Sequence, residues 1–342
     1  MYPFDSAPRR VRSAEVQSRP APILILGPPR SGTTWVEQIL GAAAHANVIH
    51  EPDNETCDPF ALRAKRALGR FPILGPGDLA PSEYVELWER ALMGRNRRAS
   101  ARWLVARAVL GTADADLGAV FDRRAPQFPA RMRVVSALAV PPTAPPQKKR
   151  VLVKSVHASL AAEWIAARWN PQVVVVLRHP LNIIASHVAL RWRDSGLATH
   201  PLLPGALSRI PGVPPLAADA SPLSRLTWQI GLFIAALEAA ILRNPHWLVV
   251  RHDELCADPP QRFPALCEAL GLPWTERAAA LLAASNRPGN GLATRRVAAE
   301  QAQRWRRQLD GQQLDEVVAV LSQFCLGSFD RGAIDSDALT RR

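Results

Sequence analysis

Cysteine and lysine are equally scarce in this chain: four cysteines in 342 residues, and four lysines among 42 basic side chains, the rest being arginine. Cys57, Cys256, Cys267 and Cys325 form no C-x-x-C pair and no tight run with histidine. That spacing speaks against both a zinc site and a disulfide framework and leaves reduced, partly buried thiols as the expectation. An apolar leader core is also missing. Residues 1–22 carry Arg9, Arg10, Arg12 and Arg19 but no hydrophobic stretch between charge and cleavage site, so the expectation is a disordered tail over 1–21 rather than a signal peptide. The longest apolar helical run, 230–242, is interrupted by Glu238 and is too short to span a bilayer. The chain therefore reads as soluble and cytoplasmic with no transmembrane segment, and the sequon at Asn54, Glu55 and Thr56 as a chance match.

No clean linker divides the sequence. The Pro- and Lys/Arg-dense cluster at 141–150 lies between segments needed in one sheet, so it reads as a surface excursion. One domain over 22–330 is expected, with insertions near 58–150 and 196–222 and a tail at 331–342. A net charge of +12 and a pI near 10.7 ordinarily point toward nucleic acid. Here the arginines are spread along the whole chain among Ala and Pro, which disfavours nucleic acid and suits a small anionic ligand equally well.

Four apolar runs have the β-branched content of buried parallel strands: 23–26, 151–153, 173–177 and 247–250. Helical periodicity follows each, at 33–44, 158–169, 181–192 and 260–270. Further helix is expected at 84–120 and from 276 onward, where 314–324 should pack back on the sheet. This alternation predicts an α/β chain, a central parallel sheet flanked by helices with a largely helical insertion. In such sheets ligands gather outside the carboxyl ends of the strands, which brings 27–34, 154–157, 178–180 and 251–253 forward.

The first of these segments reads Gly27-Pro28-Pro29-Arg30-Ser31-Gly32-Thr33-Thr34. A strand, a glycine-bounded loop and a helix N-terminus together make a phosphate cradle. Compared with G-x-x-x-x-G-K-[ST], both glycines and Thr34 are present, but Thr33 stands where the lysine belongs. A nucleoside triphosphate needs that lysine and a metal ion beside it; a donor with less charge at its transferred end needs neither. A P-loop small-molecule kinase would also want an acidic residue at a neighbouring strand end, where this chain has Arg178, although Asp253 follows a later run. Arg178 at a strand end and Ser186 on the next helix can converge on one anionic group, the guanidinium fork matching phosphate geometry.

Residues 29–35 and the element from Arg178, His179 and Pro180 to Ser186 resemble the two cofactor signatures of the sulfotransferase family, and residues 249–255 with Asp258 and Pro259 resemble its late strand-turn-helix. The resemblance runs from about 22 to 274 and implies a P-loop NTPase-like three-layer fold and transfer of a sulfuryl group from 3′-phosphoadenosine 5′-phosphosulfate (PAPS). It implies that Arg30, Ser31, Gly32, Thr33, Thr34 and Trp35 line the 5′-phosphosulfate and that Arg178 and Ser186 bind the 3′-phosphate.

Glu51 resembles the catalytic glutamate of the Golgi-type carbohydrate and tyrosine branch and is the first choice of base. The rival is His157, because residues 154–157 resemble an element of the cytosolic small-molecule branch, with the histidine one place later. Lys154, directly after a strand, would stabilise charge on the oxygen bridging sulfur and the departing phosphate. Arg295 and Arg296 are further candidates for the 3′-phosphate, and His187, Arg191 and Trp192 for the acceptor. The resemblance requires no metal. The expected acceptor is a hydroxyl of a glycan, a glycolipid or a small metabolite, and a catalytically silent nucleotide-binding protein is the alternative outside enzymes.

Overall fold

The computed structural model describes residues 20–95, 101–111, 130–138, 149–289 and 297–329. Five strands, β1 (Ile23–Leu26), β2 (Asn47–His50), β3 (Val151–Ser155), β4 (Gln172–Leu177) and β5 (Leu248–Arg251), form one sheet in the order β2-β3-β1-β4-β5. β3 pairs in parallel with both β1 and β2, placing Leu26 opposite Ser155 and His50 opposite Lys154. Ile23 to Leu26 and Val174 to Val176 are fully buried, as unbroken β-branched runs require when both faces of a sheet are covered. The sequence reading does not contain β2. Its Asn-Val-Ile-His segment is short, polar at both ends and only partly buried, as suits an edge strand.

Several helix boundaries differ from the periodicity for local reasons. The helix Ala162–Trp169 begins four residues after the expected 158, because the Ser155 hydroxyl accepts from the N–H groups of His157 and Ala158, both at 3.1 Å, and holds a turn there. It closes at Asn170 in the left-handed conformation (φ 46). The helix Pro180–Ala189 stops short of 192, where the N–H groups of Leu190 and Trp192 both return to the His187 carbonyl and Arg191 takes φ 55. After β5 a separate short helix, His252–Ala257, occupies the expected turn. Asp258 then caps Pro259–Ala269 by accepting from Gln261 N–H, with Pro259 in the first helical turn.

The described residues form two compact units, one from 20–26 and the described part of 36–174, the other from 27–35 and the described part of 175–329. In the first, the insertion contributes helices Pro59–Ala64, Ser82–Leu92, Ala101–Gly111 and Ala130–Leu138. Leu62, Ala106, Met132 and Val135 form a small core there, and Tyr84 packs against Trp164 with ring centroids 5.3 Å apart. The expected helical stretch 84–120 breaks in a turn at 93–95; residues 96–100 and 112–120, and most of the 141–150 cluster, lie outside the described residues.

In the second unit the helix Pro222–Arg243 runs 22 residues, longer than the expected 230–242. Among the described residues it is long and apolar enough to cross a membrane by length and composition, and most of it is buried inside the protein. Glu238 does not interrupt it, because its carboxylate accepts the N–H groups of Gly327 and Ser328, each at 2.9 Å. Trp228 ties the insertion at 196–222 to this helix by donating to the Pro214 carbonyl, and Gln229 accepts from Ser195, the residue just before the insertion. The terminal helix Gly311–Leu321 packs against the long helix rather than on the sheet as expected, and Phe324 places its ring where a side chain on Gly231 would lie.

Candidate active site

The loop after β1 curls tightly, with Ser31 N–H donating to the Pro28 carbonyl at 3.1 Å and Trp35 N–H to that of Gly32 at 3.0 Å. Arg30 (φ 73) and Gly32 (φ 97) are both left-handed, a conformation that costs an ordinary L-residue on the order of 1–3 kcal/mol. Gly32 is doubly constrained, because a Cβ there would stand 2.7 Å from His252 Nε2. The fully buried Ser31 hydroxyl has no protein partner among the described residues, an orphaned polar atom in the loop itself. Next comes the helix Thr33–Ala43, whose N-terminus presents the positive end of the helix dipole to the loop.

Three polar side chains of the two signatures meet at this loop. Arg30 Nε donates to Ser186 Oγ at 2.9 Å, and Arg178 donates through a terminal guanidinium nitrogen to the Arg30 carbonyl at 3.0 Å. Arg178 is 8% exposed; burial pushes its guanidinium down to about 10 while Asp253 pulls it back up, so it remains a cation at neutral pH. Asp253 also accepts His179 N–H at 3.0 Å, fixing the chain between β4 and the helix that carries Ser186. Trp35 turns its indole N–H to Ser285 Oγ at 3.0 Å and packs edge-on against Phe263 and His252, so it braces the loop from the protein side.

A second group lies in the first unit, at the carboxyl ends of β2 and β3. Glu51 leaves β2 at φ 45 and donates its N–H to the Lys154 carbonyl at 2.8 Å, continuing the strand register by one step. Lys154, 1% exposed, gives its ammonium to Glu51 Oε1, and Asn54 donates to Oε2. Burial pushes the Glu51 carboxyl up, but Lys154, Asn54 and His50 together outweigh it and hold the group below its ordinary value. Glu51 is thus ionised at neutral pH with an ammonium on one oxygen.

His157 is embedded below this pair. Its Nδ1 lies 3.0 Å from Lys65 Nζ and 3.2 Å from the Asp53 carbonyl, Phe71 packs edge-on against the ring, and burial with the nearby cations holds it neutral, well below its ordinary value. Lys65, fully buried, pairs with the equally buried Glu55 and donates to the Arg70 carbonyl. Asp53, pushed up to about 6 chiefly by burial, accepts the Ser155 hydroxyl on both oxygens at 2.8 and 2.7 Å.

The sulfotransferase family model matches residues 22–276, about three quarters of the chain. This chain belongs to the sulfotransferase family. No curated protein matches it. Among solved structures, this sulfotransferase is similar to the sulfotransferase domain of the Synechococcus PCC 7002 olefin synthase, at 15% identity and TM-score 0.45, covering 91% of this chain and 96% of that one. It is also similar to the sulfotransferase domain from the curacin biosynthetic pathway (15% identity, TM-score 0.43, 89% and 99% covered) and to mouse sulfotransferase SULT7A1 complexed with PAP (11%, 0.39, 94% and 90%). These identities and scores are too low to carry an acceptor or a residue's role across.

The remaining candidates of the sulfotransferase fall in different places. His187 points into its own helix, with Nδ1 2.9 Å from the Ile183 carbonyl and its ring edge-on to Trp192; burial lowers it to about 4. Trp192 is 42% exposed and lies 5.9 Å from the Arg30 guanidinium. Arg191 is exposed, and Arg295 and Arg296 lie outside the described residues. Sequence reasoning brought 251–253 forward as a strand end but assigned no role at the loop to His252 beneath it or to Asp253 behind Arg178, and it did not reach the buried Asp53, Glu55 and Lys65 network. The only signal for the first two was their position just after a strand.

Proposed function

We propose that this sulfotransferase takes PAPS as donor and transfers its sulfuryl group to an acceptor hydroxyl, with Glu51 as general base. The observation that carries the reading is the meeting of Arg30, Arg178 and Ser186 at a phosphate-type loop that lacks the triphosphate lysine. The orphaned Ser31 hydroxyl and the helix N-terminus suit the phosphosulfate end of that donor, and a guanidinium with a hydroxyl suits its ribose 3′-phosphate.

PAPS supplies the sulfur electrophile and a stable bisphosphate leaving group. Glu51, held ionised, accepts the proton of the acceptor hydroxyl as its oxygen bonds to sulfur. Lys154 and the loop N–H groups meet the negative charge that gathers on the phosphate oxygen as its bond to sulfur breaks. The products are a sulfate ester, adenosine 3′,5′-bisphosphate and a proton on Glu51. His157 acts in this reading as packing, since Lys65 and Asp53 already occupy its Nδ1. We infer a glycan, glycolipid or small-metabolite hydroxyl as acceptor and a cytoplasmic setting.

The test is to incubate metabolite and glycan extracts with PAPS and the protein and look for mass gains of one sulfonate. Glu51→Gln is expected to bind adenosine 3′,5′-bisphosphate as before and to lose transfer by roughly 10²–10⁴-fold. Full activity in that variant removes Glu51 from the mechanism. Magnesium-dependent ATP turnover without sulfonate transfer overturns the whole reading.

A further inference from the structure

The turn that follows β2 brings three potential metal ligands together. Asn54 N–H donates to the Glu51 carbonyl at 3.1 Å and Cys57 N–H to the Asn54 carbonyl at 3.0 Å, so two consecutive turns fold Cys57 back onto Glu51. Cys57 Sγ then lies 3.8 Å from Glu51 Oε2, and His50 Nε2 lies 4.0 Å from Glu51 Oε1. One ligand atom from each of His50, Glu51 and Cys57 falls within 4.8 Å of the others. Ligand atoms around a tetrahedral zinc ion stand roughly 3.4–3.6 Å apart, so small side-chain rotations close this set around one ion.

A second observation concerns orientation. The buried Glu37 carboxylate holds His50 Nδ1 at 2.6 Å, which assigns the proton to that nitrogen in the metal-bound form and turns Nε2 toward Glu51. A carboxylate behind the imidazole is the arrangement that orients histidine ligands in zinc sites. The His50 side chain is 45% exposed, which gives an ion a route in from solvent.

We propose that His50, Glu51 and Cys57 form a binding site for zinc or a similar thiophilic divalent cation, and that its occupation inhibits the enzyme by taking Glu51 away from the acceptor. The inhibition rests on the reading of Glu51 as base; the site itself does not. The charges balance despite Lys154. Thiolate and carboxylate together neutralise the ion, Lys154 keeps Oε1 while the ion shares Oε2 with the Asn54 amide that already donates to it, and Glu37 offsets the ammonium. Cysteine with histidine and one carboxylate selects zinc over magnesium or calcium, and three protein ligands leave a fourth position for water. The spacing of these residues matches no metal motif, because turn geometry rather than a helix or hairpin brings them together.

The experiment uses the full, untagged chain titrated with Co²⁺ as a spectroscopic stand-in and with Zn²⁺ by calorimetry. One equivalent is expected to bind with a thiolate-to-cobalt charge-transfer absorption. Cys57→Ser is expected to abolish that absorption, and Glu37→Gln to weaken zinc binding roughly 10–100-fold. Sulfonate transfer, each variant normalised to its own zinc-free rate, is expected to fall on zinc addition in the wild type and to become insensitive in Cys57→Ser. Absence of stoichiometric binding, or binding that Cys57→Ser leaves intact, overturns the site. Binding with the cobalt signature but undiminished transfer supports the site and overturns the inhibition, along with Glu51 as base.

Discussion

Replacing Gly32 with alanine isolates how the loop is held. Two separate costs are expected: Gly32 sits at φ 97, and an added Cβ would stand 2.7 Å from His252 Nε2. The backbone cost is on the order of 1–3 kcal/mol, and overpacking against a buried ring adds about 1–3 kcal/mol. His252 has little room to yield, because it is buried with Trp35 edge-on at 5.9 Å and Cys256 Sγ 3.6 Å from its Nδ1. Gly32→Ala is therefore expected to cost roughly 2–6 kcal/mol in the wild type but only about 1–3 kcal/mol in the His252→Ala background, where the backbone cost alone survives. The assay is a double-mutant cycle by urea denaturation, followed through the intrinsic tryptophan signal, with adenosine 3′,5′-bisphosphate affinity measured on the same four proteins. A coupling of about 1–3 kcal/mol between the two sites is expected. Equal costs of Gly32→Ala in both backgrounds would refute the claim that His252 sets the shape of the loop.

Other consequences can be checked separately. Arg178→Ala is expected to weaken adenosine 3′,5′-bisphosphate by about 1.5–3 kcal/mol, the worth of hydrogen bonds to a charged group, and to leave the affinity for adenosine 5′-phosphate nearly unchanged; calorimetry with the two nucleotides tests this. Because the folded protein holds His187 at about 4 against an ordinary 6.5, the unfolded chain takes up that proton first as pH falls. Stability should drop between pH 6.5 and 4 by up to about 3 kcal/mol from this group, and His187→Gln should flatten that part of the urea-midpoint profile. Lys65→Met strands the buried Glu55 carboxylate and should cost about 3–5 kcal/mol, most of it recovered in Lys65→Met/Glu55→Gln, as thermal melts would show.

Of the four strands legible in the sequence, β1, β3 and β4 are buried on both faces, where burial demands an unbroken apolar run, and β5 is an edge strand that keeps a Leu-Val-Val run. At the sheet edge that demand relaxes, and β2 leaves no such trace. Helix ends were misjudged where one side chain overrides periodicity: the Ser155 hydroxyl delays a helix by accepting two N–H groups, and nothing in the apolar spacing announces it. The loop itself was legible, since glycines, strand and helix N-terminus are contiguous. What supports it was not, because His252 and Ser285 lie more than two hundred residues downstream. The pairing of Lys154 with Glu51 follows from strand register, which a single sequence does not reveal.

The remote supports of the loop have a consequence for biosynthesis. Residues 27–35 leave the ribosome well before their supports, since they pack within a unit whose other members begin at 175, with the brace under Gly32 supplied at 252 and the partner of Trp35 at 285. A nascent chain stalled before that point carries the signature in a loop without its scaffold. Nucleotide capture should therefore appear only after residue 285 has emerged, and nucleotide cannot act as a template for the folding of 27–35 before then.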